Sequence, residues 1–271
     1  MFNSFFKLEE ILRFVFCLFF TSFLLLSSKL HGQLIIAHRG GAFESIENTL
    51  EAFSHAISAN ADIIEFDVQM SKDLIPIVVH HPTTKRFFKG EEKAFSEMDL
   101  SAIKTLEGKN DAAICIPTLT EALAITAGKI GLIIEIKSDG HQDYPQFVEK
   151  VLETLSEYKE LSEKPCFLGS FSPVILEEIK KQAPKQPICF IVDNPSYFTY
   201  LEELLPNVLS VHHSLLTKEL FKKVKKHNLT LWTWTINQKK QVKKCFDLGI
   251  DGVITDWPNK MKKSLKNRER T

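Results

Sequence analysis

Short apolar runs recur along this chain, and segments with a helical period separate them. From Gln33 onward the runs are "QLIIAH", "DIIEFDV", "GLIIEIK", "CFLGSF", "ICFIV", "VLSVHH", "TLWTWTI" and "GVITD". The segments between them, such as "NTLEAFSHAISA", "YPQFVEKVLETLSEY" and "SPVILEEIKKQ", repeat apolar residues three and four apart. Near-continuous apolar strands alternating with amphipathic helices indicate a parallel sheet covered on both faces. Eight such units predict an α/β fold, a closed TIM-like (β/α)8 barrel. An open doubly wound sheet is the alternative arrangement of the same units.

One run breaks the alternation. "IPIVVHH" follows "IIEFDVQM" after only "SKDL", and a parallel crossover needs about a dozen residues. Residues 75–80 are therefore expected to return antiparallel as a β-hairpin. A turn near Lys72-Asp73 would set His80 almost opposite Glu65. Neighbours on an extended chain point to opposite faces, so His80 would face inward and His81 outward. Residues 82–117 have no strong period and read as a small insertion after the second strand.

The first 32 residues differ in character. Lys7 and Arg13 precede an uncharged run of 15 residues, Phe14 to Ser28. A spanning helix wants roughly 20 apolar residues, so this reads as a secretory signal peptide ending near Gly32. The barrel would then occupy 33–258 and a basic tail 259–271. Export to the periplasm or the medium is expected, with an uncleaved N-terminal membrane anchor as the alternative.

The chain has 271 residues, 44% hydrophobic and 25% charged, and 34 basic residues balance 34 acidic ones. That balance argues against a general nucleic-acid binder. The charge is uneven, however: residues 221–244 hold eight lysines and no acid, and 259–271 hold six basic residues against Glu269. Solvated helix faces explain this, and so would weak attraction to an anionic membrane surface. Outside the leader, Cys115, Cys166, Cys189 and Cys245 fit no CxxC metal spacing. Cys166 and Cys189 lie in apolar runs and are expected to be core thiols.

Barrel enzymes build their sites at the carboxyl ends of the strands. Those ends hold His38 and Arg39, then Glu65 and Asp67, His80 and His81 of the hairpin, Glu135 and Lys137, and finally Trp234 and Asn237. Glu65 and Asp67 are two apart and share a face, as do Glu135 and Lys137. Three carboxylates at one barrel mouth repel unless a cation joins them, and an all-oxygen set suits one divalent ion such as Ca²⁺ or Mg²⁺. Simple salt bridges, Glu135 to Lys137 and Glu65 to Arg39, are the competing explanation. A cation beside Arg39 and Lys137 suits a phosphate ester. His38 and His80 could then be the general acid and base.

In combination, His38-Arg39-Gly40, "ENT" at 47–49, "EFDVQMSKD" at 65–73, "VVHHPT" at 78–83, "EIK" at 135–137, "WTIN" at 234–237 and "GIDGVITDWP" at 249–258 resemble the glycerophosphodiester phosphodiesterase family. The resemblance implies a TIM-like barrel with an insertion, and metal-dependent hydrolysis of a small-molecule glycerophosphodiester to glycerol 3-phosphate and an alcohol. It makes Glu65, Asp67 and Glu135 metal ligands and His38 and His80 the acid–base pair. It gives the phosphate to Arg39 and Lys137 and the glycerol part to Trp234. Glu47 would lie near the metal or brace Arg39. The sequence departs from the family pattern at Ile46, where proline is usual, at His81, where aspartate is usual, and in "KRFFKG" around Arg86. These departures bear on the leaving group. Other readings of the same barrel are a lysophospholipase- or phosphoinositide-type phosphodiesterase and a non-catalytic phosphate-ester-binding protein.

Overall fold

A computed structural model describes residues 33–138 and 143–266. The expected signal peptide and residues 267–271 lie outside the described residues. Nine strands form: β1 (Leu34–His38), β2 (Ile63–Met70), β3 (Pro76–Val78), β4 (Gly131–Ile136), β5 (Cys166–Ser170), β6 (Ile188–Val192), β7 (Val208–His212), β8 (Thr230–Trp234) and β9 (Gly252–Thr255). All but β3 are parallel, and β1 pairs with both β2 and β9. The parallel ring is therefore closed, and the open sheet is ruled out.

Helices cover the ring, except for α2, which lies in the insertion: α1 (Leu50–Ser58), α2 (Leu100–Ile103), α3 (Leu119–Thr126), α4 (Tyr144–Ser156), α5 (Pro173–Gln182), α6 (Leu201–Leu204), α7 (Lys218–Lys226), α8 (Lys239–Asp247) and α9 (Pro258–Lys266). Their starts are written in the sequence. Thr118 and Glu121 form a reciprocal capping box at α3, and Thr49, Asp143 and Thr217 cap α1, α4 and α7. Their inner faces are apolar at helical spacing: α4 buries Phe147, Val148, Val151 and Leu155. On α8, Val242, Cys245 and Phe246 face in while Lys239, Lys240, Lys243 and Lys244 stay exposed.

β2 is long and buried throughout, and this shapes the site. Its first half pairs with β1 as far as His38 opposite Glu65; its last residues pair with β3. The antiparallel return is as expected, but its register is one residue away. Val68 faces Val78, and the Val79 N–H donates to the Asp67 carbonyl at 3.0 Å. The cause is a wider turn. The Ser71 hydroxyl accepts from the Ile75 N–H at 2.9 Å, and Leu74 takes a left-handed φ of 62°. β3 therefore ends before His80.

The insertion closes on itself. The Val78 N–H donates to the Pro117 carbonyl at 2.7 Å, and Ile77 bridges Thr118. Between these ends a small separate core gathers Ile77, Val79, Phe88, Phe95, Ile103 and Ile116. Phe88 is thus a packing residue.

The expected tail begins instead as α9. Met261 is fully buried, the Glu44 carboxylate accepts from the N–H groups of Asn259 and Lys260, and Lys262 pairs with Asp62 at 2.7 Å. The apolar i, i+4 pair Met261 and Leu265 lies under the lysines. Cys115, Cys166, Cys189 and Cys245 are all free thiols, and burial pushes Cys166 up to about 12. No helix among the described residues is long and apolar enough to cross a membrane.

Candidate active site

The strand register sets the charged groups in a row. His38 stands beside Glu65 across β1 and β2, and Asp67 beside Glu135 across β2 and β4. Glu65, Asp67 and Glu135 are buried, and their oxygens lie within 4.8 Å of one another. A cavity of about 90 Å³ opens above them, lined by His38, Arg39, Glu65, His80, Glu135, Lys137 and Trp234 among others. Of the nine residues singled out by sequence, these seven line it. Asp67 lies directly beneath Lys137, and Glu47 stands behind Arg39.

The turn after β1 aims Arg39. Its φ is 52°, followed by 82° at Gly40 and 108° at Gly41. Left-handed geometry is strained for arginine and natural for glycine. A Cβ on Gly40 would lie 2.8 Å from the Ala52 Cβ, so the turn presses onto α1. The twisted backbone sends the Arg39 N–H to Glu65 Oε2 at 2.9 Å. The side chain goes the other way: Nη1 donates to Glu47 Oε1 at 2.9 Å, and Nε lies 3.3 Å from Asp67 Oδ2 without a hydrogen-bond partner. Glu47 therefore braces Arg39. Lys137 Nζ sits 3.1 Å from Asp67 and 2.7 Å from Glu135.

These contacts push the carboxylates apart in acidity. Burial and the neighbouring Asp67 charge raise Glu65 to about 7. Burial also raises Glu135, to about 8, against the opposing pull of Lys137. For Asp67 burial acts upward too, but Lys137 and Arg39 outweigh it and hold the group well below the usual range. The raised values of Glu65 and Glu135 express the burial and mutual repulsion of three carboxylates that two cations do not fully relieve.

His38 and His80 sit in different surroundings. His38 Nδ1 is 2.6 Å from Asp256 Oδ1, which leaves Nε2 for the cavity. Burial opposes charge on His38, yet the Asp256 hydrogen bond and Glu65 prevail and raise its pKa. His80 has a buried Nδ1 without a partner, and its carbonyl accepts from the Gln69 amide at 2.9 Å. Burial, with Lys137 and Arg39 nearby, lowers its pKa to about 3; an arriving phosphodiester anion acts in the opposite direction. His81 points away from the three carboxylates and meets Arg86 Nη1 at 2.6 Å. Across the mouth, Trp234 packs edge-on to Phe171 with ring centroids 5.5 Å apart.

Residues 38–260 match the glycerophosphoryl diester phosphodiesterase family. The chain belongs to this family. A glycerophosphodiester phosphodiesterase of Caldanaerobacter subterraneus subsp. tengcongensis is 34% identical over 233 residues, 83% of this chain and 94% of that protein. A phosphodiesterase of Oleispira antarctica, solved with the product sn-glycerol-3-phosphate, is 25% identical with a TM-score of 0.79, covering 86% of this chain and 96% of that one. A lysophospholipase D of Rattus norvegicus is 28% identical over 280 residues, 86% of each protein. As a member of the glycerophosphoryl diester phosphodiesterase family, the protein is an enzyme that hydrolyses phosphodiesters of glycerol.

Three supporting residues of this phosphodiesterase were not assigned roles from the sequence. Asp256 grips His38, and the Asn237 amide in turn donates to Asp256 Oδ2 at 2.6 Å. Asn48, with a left-handed φ of 58°, donates to Asp67 Oδ2 at 2.8 Å. A strand-end carboxylate in "ITDWP" is the signal that points to Asp256. A second group with metal-like spacing is Glu47, His80 and His81. Two of its three members are already engaged: Arg39 and Arg86 take both Glu47 oxygens, and Arg86 takes His81 Nε2.

Proposed function

We propose that the enzyme hydrolyses glycerophosphodiesters to glycerol 3-phosphate and an alcohol with the help of one divalent cation, Ca²⁺ or Mg²⁺. The observation that carries this reading is the convergence of Glu65, Asp67 and Glu135 with Arg39, Lys137, His38 and His80 on one cavity. The donor set fits a hard cation, being all oxygen and buried, with Glu65 and Glu135 pushed up by burial and by the neighbouring carboxylates, a repulsion that a bound cation would relieve. A cation held there would supply electrostatic stabilisation of charge on the phosphoryl oxygens.

The chain's own groups divide the remaining work. Lys137 and the Arg39 guanidinium, both lining the cavity, present positive charge to the phosphate. Asp256 fixes the ring of His38 so that Nε2 meets the reacting centre, and His38 and His80 share the two proton transfers of one displacement. The Trp234–Phe171 wall receives the carbon skeleton of the glycerol.

Assays with glycerophosphocholine, glycerophosphoethanolamine and a lysophospholipid, with and without chelator, test the proposal. The expected outcome is release of glycerol 3-phosphate from the first two, lost with chelator and restored by Ca²⁺ or Mg²⁺. A clear preference for the lysophospholipid would move the reading toward the activity named for the rat relative. Turnover of none in the presence of metal would defeat both.

We also propose that the protein is exported. The charged start and the apolar run Phe14–Ser28 support this, and N-terminal sequencing from the native host should find Gln33 or a close neighbour. An intact Met1 on a membrane-bound product would favour the anchor instead. The exposed lysines of α7 and α8 would give weak attraction to anionic membranes.

A further inference from the structure

On the rim beside His80, Arg86 is held from three sides. Its Nη1 lies 2.6 Å from His81 Nε2, its Nη2 donates to Glu47 Oε2 at 3.1 Å, and its guanidinium lies 4.9 Å from the centroid of the Phe87 ring. Arginine has no acceptor, so His81 must accept through Nε2 and is therefore the neutral tautomer protonated at Nδ1. Burial and the Arg86 charge both lower its pKa.

The charge count at this rim is uneven. Glu47 is one carboxylate shared by two guanidinium groups, Arg39 at 2.9 Å and Arg86 at 3.1 Å. Arg39 has Asp67 as a second anionic partner; Arg86 has a neutral imidazole. His81, held as the neutral tautomer against Arg86, supplies no charge. Arg86 keeps 48% of its side chain exposed, so a fixed, incompletely neutralised guanidinium edge faces solvent beside His81, the neighbour of the cavity-lining His80. A preset fork of this kind grips anionic oxygens.

The place of this edge is set by the barrel. Trp234 and Phe171 come from the ends of β8 and β5; Glu47, His81 and Arg86 come from the β1–α1 loop and the segment after β3. The ring order β1-β9-β8-β7-β6-β5-β4-β2 sets these two groups on opposite sides of the mouth. With the glycerol against Trp234 and the phosphate over the carboxylates, the leaving alcohol extends toward Arg86.

We propose that Arg86, freed from a carboxylate by His81, selects glycerophosphodiesters whose leaving alcohol carries its own anionic phosphate. The inference rests on the proposed glycerophosphodiester hydrolysis and on the placement of its glycerol part. A cationic alcohol such as choline meets the same edge with repulsion. The charge difference between the two leaving groups corresponds to about tenfold in kcat/KM at low salt.

The test compares bis(glycerophospho)glycerol, whose leaving group keeps one phosphodiester, with glycerophosphocholine. The wild-type enzyme should favour the first by about tenfold. Arg86→Gln should abolish the preference, and His81→Asp, which restores a carboxylate beside an intact Arg86, should reduce it or turn it toward choline. Far-UV circular dichroism confirms that each variant is folded, and His81→Asp keeps the test decisive should Arg86→Gln fail to fold. Turnover of both substrates with the same ratio in wild type and variants overturns the inference alone. Turnover of neither by the wild type overturns the hydrolysis reading and this inference with it.

Discussion

Replacing His80 with alanine is expected to lower turnover by about 100-fold or more, the contribution typical of a positioned general acid or base. His38→Ala should resemble it, because both rings serve one displacement at the same cavity. His81→Ala should change KM and leaving-group preference rather than kcat, since its ring is turned to Arg86. Asp256→Asn should fall between: the amide still reaches His38, but the charge that raises the His38 pKa is gone. The measurement is turnover per folded molecule, with the folded fraction taken from circular dichroism. If His80 only packed beneath the insertion, its replacement would lower stability and leave the turnover of folded molecules unchanged. A fully active His80→Ala enzyme overturns the assignment. So does a folded, metal-binding His81→Ala enzyme that is inactive.

The second large effect concerns the carboxylates. Glu65→Gln keeps size and still offers an oxygen to the Arg39 N–H, but removes one charge. Divalent-ion affinity should fall by more than the roughly 10–100-fold that loss of a merely supporting residue costs, and activity should fall with it. A second readout separates this from simple damage. In metal-free protein, Glu65 is a buried carboxylate raised to about 7 by burial and by Asp67. Neutralising it relieves like-charge repulsion, so metal-free Glu65→Gln should melt no lower than the metal-free parent. The stabilisation gained on adding Ca²⁺ or Mg²⁺ should shrink at the same time. Calorimetric titration and melting curves with and without chelator give both numbers. Full activity of Glu65→Gln after chelation, with no metal found by elemental analysis, would end the metal proposal.

The alternation of apolar strands and amphipathic helices was legible because each unit carries its own period, and the closed ring follows from counting eight of them. The inward pairing of Glu65 with Asp67 was legible for the same reason: two residues along a strand share a face. What escaped depends on contacts between distant positions. Asp256 touches His38 across 218 residues of chain, and no local pattern announces that contact. The hairpin register shifted by one because the Ser71 hydroxyl widens the turn. Residues 259–271 read as a basic tail because the lysines of 260–266 hide an apolar pair, Met261 and Leu265, that packs on the core. Glu47 was expected either near the metal or bracing Arg39; the structure has it brace Arg39, and its second bond, to Arg86, joins two loops that the sequence leaves separate.

The staple between Val78 and Pro117 makes the insertion a replaceable cassette. Its two ends meet at the 2.7 Å Val78–Pro117 hydrogen bond and the adjoining Ile77–Thr118 bridge, and it carries its own small core. A chain whose ends are held together can lengthen at little entropic expense, roughly 0.6 kcal/mol for each doubling. Residues between the ends can therefore drift without disturbing the ring that holds Glu65, Asp67 and Glu135. The cassette meets the catalytic frame at His80, which lines the cavity near the cassette's start, and through the Arg86–Glu47 pair. Evolution can thus alter which alcohol is released while the reaction itself stays fixed, provided that His80 and the ionic latch are kept.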